Sequence, residues 1–167
     1  MSHTSESLRA AESWAEVRAH DQIVRYRRSG SGRSVLLLRS DGTDGTLWPE
    51  LTETLDRDFR VLVPEIPPDA QLIRGLTGFL EGLGTARVAV VATDALCFAA
   101  LELALLDRER VARAVLVPSE HGGLAGLEAA LETAGRDLSI PLLVVSSGTP
   151  AAMAVARIGA FLGDAWG

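Results

Sequence analysis

Apolar residues occur along this chain in short runs, separated by longer segments with helical periodicity. Five runs are rich in valine, leucine and alanine and are apolar at nearly every position. A strand covered by helices on both faces has this pattern, because neither of its faces meets water. The sequence therefore predicts five buried strands, at residues 35–38, 59–63, 88–91, 114–117 and 142–145.

The segment before these runs has a different pattern. Residues 15–19 and 24–27 each alternate apolar or small residues with polar ones, and His20-Asp21-Gln22 lies between them. Strict alternation indicates strands with one face in water. We expect an antiparallel hairpin here, followed by a turn at residues 29–32, whose sequence is Ser-Gly-Ser-Gly.

Helical patterns separate the buried runs, at residues 48–55, 70–83, 95–107, 124–134 and 151–162. The third carries little charge and is expected to be buried almost all round. Asp69 and Thr149 are the expected N-caps of the second and fifth helices. Strands and helices in alternation predict an α/β fold class, a doubly wound and mostly parallel sheet with an N-terminal antiparallel hairpin.

Length and composition define the expected organisation. The chain has 167 residues, which suits one domain. Residues 1–12 are polar and are expected to be a frayed tail, with residues 13–167 forming the domain. No apolar stretch is long enough to span a bilayer, so we expect no membrane association and a cytoplasmic location.

Charge and residue types exclude several classes of function. The net charge of −6 argues against nucleic-acid binding. All sixteen basic residues are arginine, which excludes a Schiff-base lysine and a P-loop. The closely spaced glycine pairs, Gly30 with Gly32 and Gly82 with Gly84, precede strands, whereas the glycines of a dinucleotide-binding site follow a strand. The three histidines are far apart in sequence, which argues against a zinc site. We therefore expect no cofactor and no metal.

Cys97 lies in an apolar run and is predicted to be a buried, unreactive thiol.

Ligands of open α/β sheets bind at the carboxyl ends of the strands. The polar residues expected at that edge include Ser40 and Asp41 after the first buried strand, Thr93 and Asp94 after the third, Glu120 and His121 after the fourth, and Ser146 after the fifth.

The order of these parts resembles that of the α/β-hydrolase family. Residues 35–42 resemble its third strand and oxyanion loop, and residues 88–95 resemble the strand that leads into its nucleophile elbow. The resemblance covers roughly residues 15–162. It implies the sheet described above and, at the elbow, a strand-to-helix turn that presents a nucleophile.

Several residues depart from the family pattern. The elbow reads Ala-Thr-Asp-Ala-Leu at residues 92–96, with Asp94 at the nucleophile position and neither glycine present. Asp41 would bring negative charge to a site that should stabilise an anion. Few residues are available for a lid. Residues 145–150 lead straight into the last helix, so the eighth strand and its histidine are expected to be missing.

Two interpretations of Asp94 and His121 stay open. Asp94 is a candidate nucleophile or general base, as in the epoxide hydrolase and haloalkane dehalogenase branches that the resemblance implies. It is also a candidate cap for the helix that follows. His121 is a candidate base, or a histidine of a solvated loop.

The candidate ligand-binding residues are Ser40, Asp41, Thr93, Ala95, Glu120 and Ser146. For several of them a structural role competes with binding. Ser146 suits the amides of its own loop, and the Asp-Gly-Thr-Asp-Gly sequence that begins at Asp41 is typical of a turn.

Three functions follow as hypotheses. The first is a protein with an α/β-hydrolase fold but no Ser-His-Asp activity, which binds a small molecule or a protein partner, with a homodimer as a candidate assembly. The second is a reduced hydrolase, acting on esters, epoxides or haloalkanes through Asp94. The third is a structural chain that another chain completes.

Overall fold

A computed structural model gives the structure of residues 13–39, 47–67, 69–118, 124–135, 137–146, 148–164 and 166. The expected tail at residues 1–12 lies outside the described residues. So do Ser40, Asp41, Glu120 and His121, together with the turn expected after Asp41.

The described residues form one seven-stranded sheet. The strands are β1 (Ser13–Ala19), β2 (Gln22–Ser29), β3 (Arg33–Leu38), β4 (Phe59–Pro64), β5 (Val88–Thr93), β6 (Val111–Val117) and β7 (Leu142–Val144), in the order β1-β2-β4-β3-β5-β6-β7. β2 pairs antiparallel with both β1 and β4, and all the other pairs are parallel. This confirms the predicted fold class, including the N-terminal hairpin.

Five helices pack on the two faces of this sheet. They are α1 (Leu47–Leu55), α2 (Leu72–Gly82), α3 (Leu96–Leu106), α4 (Leu124–Ala134) and α5 (Ala151–Gly163). α2, α3 and α4 contribute buried residues to the core on one face, and α1 and α5 contribute theirs to the core on the other. Each predicted helix is present, with ends within two residues of the prediction.

The central strands are apolar on both sides because both sides are covered. Every residue of β5 is buried, and its alternate side chains belong to different cores: Val90 and Ala92 to the core with α3, and Ala89 and Val91 to the core with α1 and α5. A strand between two helical layers needs this composition.

Glycine fixes the turn between β2 and β3, as predicted. Gly30 has a φ of 69°, and a Cβ there would lie 2.1 Å from the carbonyl oxygen of Phe59. Any side chain would collide with backbone atoms that cannot move away. This turn therefore requires glycine and sets the entry of β3 into the sheet.

Three expectations about helices are wrong. The N-cap of α2 is Gln71, and that of α5 is Pro150. Asp69 instead accepts a hydrogen bond from the backbone N–H of Gln71 at 2.8 Å, which makes a local turn before the helix. The helix α3 is not buried all round, because Phe98 and Leu106 are 39% and 69% exposed.

Candidate functional site

The strand-end edge of the sheet is built at its centre by β5 and α3. The backbone N–H of Asp94 continues the pairing with β6 by donating to the carbonyl oxygen of Val117 at 3.1 Å. The chain then turns directly into α3, with Ala95 as the N-cap. The turn thus places Asp94 at the carboxyl end of a central strand, as predicted from the sequence.

Asp94 has the backbone of a sharp strand-to-helix turn. Its φ is 52°, in the left-handed region that L-residues rarely adopt. Aspartate tolerates this region better than most residues do, which explains how the turn forms without the glycines that usually flank it. The side chain is half-buried. The turn therefore holds a carboxylate partly exposed at the edge of the sheet.

The backbone of Asp94 does not suit the capping role considered above. An N-cap residue normally has extended backbone, and the N-cap position of α3 falls on the next residue, Ala95. The carbonyl oxygen of Asp94 accepts a hydrogen bond from the N–H of Cys97 at 3.2 Å, within the first turn of the helix. The conformation at this position is thus that of an elbow and not that of a standard cap.

Thr93 precedes Asp94 and is nearly inaccessible, with 2% of its surface exposed. Its hydroxyl oxygen is buried and has no hydrogen-bond partner. Buried hydroxyl groups are usually paired, so an unpaired one beside a partly exposed carboxylate is unusual. Ala95 on the other side of Asp94 is exposed.

Cys97 lies beneath the elbow and is fully buried, as predicted. Its thiol is 3.5 Å from the carbonyl oxygen of Ala92. Burial raises the pKa of Cys97 to about 11, and the negative charge of Asp94 contributes to the increase. The thiol is therefore protonated and unreactive at neutral pH.

The structure places the other described candidate, Ser146, two strands away from Asp94, at the end of β7. Ser146 follows β7 and is exposed, and its hydroxyl lies 3.3 Å from that of Thr149. This contact fits the alternative in which Ser146 satisfies its own loop. Four described candidates therefore share one edge of the sheet: Thr93 at the end of β5, Asp94 and Ala95 directly after it, and Ser146 after β7.

No group of three or more potential metal ligands occurs within the residues that the structure describes. Among those residues, no helix has both the length and the apolar character needed to cross a bilayer.

A concave region away from Asp94 was not predicted from the sequence. A cavity of about 110 Å³ lies between α1 and the strands β2, β3 and β4, and its wall includes Arg27, Arg39 and Trp48. The available signal was weak: the alternation of β2 places Arg27 on the opposite face from Tyr26. Only the pairing of β2 with β4 brings that face beside α1.

No family model and no curated protein matches this chain in sequence. Solved structures do match it in fold, and three illustrate the range. An epoxide hydrolase from Vigna radiata matches with a TM-score of 0.55 and 20% sequence identity. The match covers 64% of this chain and 40% of the epoxide hydrolase. A haloalkane dehalogenase from Bradyrhizobium elkani matches with a TM-score of 0.55 and 19% sequence identity. The match covers 64% of this chain and 42% of the dehalogenase.

A meta-cleavage product hydrolase matches with a TM-score of 0.53 and 21% sequence identity. The match covers 62% of this chain and 44% of that hydrolase. The chain thus matches less than half the length of each of these enzymes. Identities this low demonstrate the fold and not the activity. With its strand order, its two helical layers and these neighbours, the chain has the α/β-hydrolase fold, in a shortened form.

Proposed function

We propose that this chain is a small-molecule-binding protein with the α/β-hydrolase fold, that it lacks Ser-His-Asp hydrolase activity, and that Asp94 contacts the ligand. The supporting observation is the elbow itself: a left-handed backbone holds a half-buried carboxylate where the fold would otherwise present a serine hydroxyl. Unfavourable backbone conformations persist mainly where the surrounding structure imposes them, often at functional sites.

The carboxylate defines the chemistry of the proposed ligand. An ionised aspartate only accepts hydrogen bonds, so it favours amines and hydroxyl compounds over anions.

Binding can be tested with a set of small primary amines and alcohols, observed by amide NMR. We expect the backbone amide signals of residues 93–96 to shift saturably with at least one compound, and to stop responding in Asp94→Ala. Asp58→Ala is the matched control, because Asp58 is exposed and precedes β4 at the opposite end of the parallel strands. Binding that survives Asp94→Ala would refute the proposed role of Asp94.

A second candidate function is nucleophilic attack by Asp94 on an alkyl carbon. The elbow geometry favours it, and the fold neighbours include proteins described as epoxide hydrolases and a haloalkane dehalogenase. With an epoxide, a carboxylate oxygen would form a bond to a ring carbon, the C–O bond of the ring would break, and the resulting alkoxide would take a proton from water.

Intact-mass spectrometry after incubation with styrene oxide distinguishes the two candidates. Nucleophilic chemistry predicts an adduct of one epoxide on Asp94 that is absent from Asp94→Asn and present in Asp58→Asn. The binding proposal predicts no adduct specific to Asp94.

Two further features of the chain are proposals as well. A cytoplasmic location fits the free thiol of Cys97, which is buried and protonated. A homodimer fits the position of β1 at the edge of the sheet, where Trp14 is 47% exposed. Sedimentation equilibrium tests the dimer directly, and a monomer at high concentration would exclude it.

A further inference from the structure

β1 lies at one edge of the sheet and offers a free side to a second strand. It comes first in the strand order, so one of its two sides has no strand beside it within the described part of the chain. All seven of its residues pair with β2 in one unbroken register. The strand at the other end of the sheet, β7, has three residues. β1 is therefore the longer and more regular of the two edges.

A hydrogen bond on the other side of β2 shows which backbone groups of β1 point outward. The N–H of Glu65 donates to the carbonyl oxygen of Arg25 at 2.9 Å, so the backbone groups of Arg25 point away from β1. Glu16 is the residue of β1 that pairs with Arg25. Opposed residues of an antiparallel pair either bond to each other or both point away, so the groups of Glu16 face the free edge. Those of Trp14 and Arg18, two residues to either side, face it as well.

Helix α2 covers one end of this edge. At Gly82 it passes so close to the carbonyl oxygen of Arg18 that an added Cβ would collide with that oxygen. Trp14 and Glu16 lie further along the strand and are exposed. The open part of the edge is thus short and is centred on Ala15, between these two residues.

The side chains along this open part carry complementary charge. Trp14 and Glu16 lie on the face of the hairpin opposite to α2, which packs on the face of Val17. The guanidinium carbons of Arg25 and Arg27 are 4.2 Å and 5.4 Å from the centre of the Trp14 ring. Positive charge therefore accumulates at Trp14, whereas Glu16 is the acidic residue of β1. A second copy of the strand can bring its own carboxylate to that positive charge.

We propose that the homodimer suggested above, on which this inference rests, forms by antiparallel pairing of β1 with β1 about a twofold axis at Ala15. Trp14 then lies opposite the partner's Glu16, and the two residues exchange both of their backbone hydrogen bonds. The twofold axis repeats this pair, and Ala15 lies opposite the partner's Ala15. The two seven-stranded sheets join into one continuous sheet.

The two neighbouring registers are less favourable for identifiable reasons. An axis at Glu16 would place the two Glu16 carboxylates directly opposite each other, and like charges in that position are destabilising. An axis at Val17 would require the backbone of Arg18 to pair, and Gly82 lies against its carbonyl oxygen. The axis at Ala15 avoids both problems. It also places each Glu16 beside the guanidinium group that stacks on the opposite tryptophan.

Disulfide trapping on the full chain tests this register. Opposed residues that do not bond to each other have Cα atoms about 4.5 Å apart, a distance that a disulfide can bridge. We expect Ala15→Cys to give a disulfide-linked dimer under mild oxidation, seen by non-reducing electrophoresis and lost on reduction. The natural chain, whose Cys97 is buried, should stay unlinked.

Val17→Cys is the matched control, since Ala15 and Val17 are both half-buried and lie on the same face of β1. In the proposed register the two copies of residue 17 are about 13 Å apart, too far for a disulfide. Val17→Cys should therefore stay monomeric on the gel under the same oxidation.

Charge variants test the contact at Glu16. Glu16→Gln should raise the dissociation constant of the dimer about threefold or more, because the lost contact occurs twice in a symmetric dimer. Glu109→Gln changes the net charge equally, at an exposed residue in the turn before β6, and should change the constant less than about twofold. Sedimentation equilibrium measures both constants, and neither depends on a ligand at Asp94.

The possible results separate the interface from the homodimer itself. A monomer at high concentration would overturn both. A dimer that Ala15→Cys does not trap, or that Val17→Cys traps equally well, would overturn the β1 interface and leave the homodimer standing. Equal weakening by Glu16→Gln and Glu109→Gln would likewise contradict the proposed pairing.

Discussion

Asp94 and His20 are the two non-glycine residues with positive φ in the described part of the chain. His20 lies in the two-residue turn of the β1–β2 hairpin, where such backbone is common. Asp94 lies between a buried strand and a helix, and a connection of that kind does not by itself require a positive φ. The strain at Asp94 is therefore the residue-scale feature that most needs an explanation, and the proposed ligand contact provides one.

Substitution at Asp94 should separate backbone strain from side-chain function. A left-handed backbone costs an L-residue about 1–2 kcal/mol and costs glycine almost nothing. We therefore expect Asp94→Gly to have a free energy of unfolding about 1 kcal/mol above that of Asp94→Ala, although both variants lose the carboxylate. Urea denaturation measures the difference. Equal stabilities would contradict a left-handed backbone at this position.

Cys97 makes stability depend on alkaline pH. Burial raises its pKa in the folded chain to about 11, whereas an unfolded chain has a cysteine pKa of about 8.5. The folded state keeps the proton over a pH range in which the unfolded state loses it. The stabilisation is thus complete below the unfolded pKa and is lost as pH rises toward 11.

The size of this loss can be isolated by mutation. Between pH 8 and 11 the free energy of unfolding should fall by roughly 2–3 kcal/mol more in the natural chain than in Cys97→Ala. Urea melts of both proteins across that range provide the measurement. Parallel pH profiles would mean that the thiol is not desolvated.

Helix packing can be tested with two glycines in similar settings. A Cβ at Gly159 in α5 would have its nearest neighbour 3.9 Å away, at Thr54 of α1, which is an ordinary contact. A Cβ at Gly82, the last residue of α2, would lie 2.2 Å from the carbonyl oxygen of Arg18 in β1. The first site has room for a methyl group and the second does not.

We expect Gly159→Ala to stabilise the protein by about 0.5–1 kcal/mol, because alanine favours a helix more than glycine does. Gly82→Ala should destabilise it by about 1–3 kcal/mol through overpacking. Thermal or urea denaturation of the two variants checks both signs. A stabilising Gly82→Ala would mean that α2 and β1 are not this close.

Elements with strong patterns could be predicted from the sequence because each pattern has one physical cause. β5 is apolar at every position since both of its faces are covered, and the hairpin alternates because one of its faces is polar. Helix starts were harder to predict. Asp69 and Thr149 have side chains suited to an N-cap, but the N-caps of the two helices are Gln71 and Pro150.

The site could be predicted in part, for reasons that are local. The position of Asp94 follows from a strand pattern running into a helix pattern. Its left-handed backbone does not, because the usual signal, a pair of glycines around the turn, is missing. The cavity at Arg27 and Arg39 depends on β2 pairing with β4, a contact between residues 35 or so apart in sequence, which no local pattern encodes.

At the scale of the whole molecule, α5 shows how the fold is shortened. The chain leaves β7, the last strand of the sheet among the described residues, and passes directly into α5, which packs against α1. The sheet thus receives its second helical layer without a further strand in between.

We propose that residues 13–167 fold as one domain, because a single sheet joins the hairpin to β7 and each helical layer shares one core. The chain should then unfold in one cooperative transition, with the same midpoint by far-ultraviolet circular dichroism and by tryptophan fluorescence. Separate midpoints would indicate that the hairpin and the parallel part of the sheet unfold independently.

The most direct test of the central claim is the rate of p-nitrophenyl acetate hydrolysis by the natural chain, measured beside Asp94→Ala. An elbow that presents a carboxylate for binding, and no serine, predicts equal rates for the two proteins, with no saturation by substrate. Saturable hydrolysis that disappears in Asp94→Ala and persists in Asp58→Ala would contradict the account, because the elbow would then be an active hydrolase site.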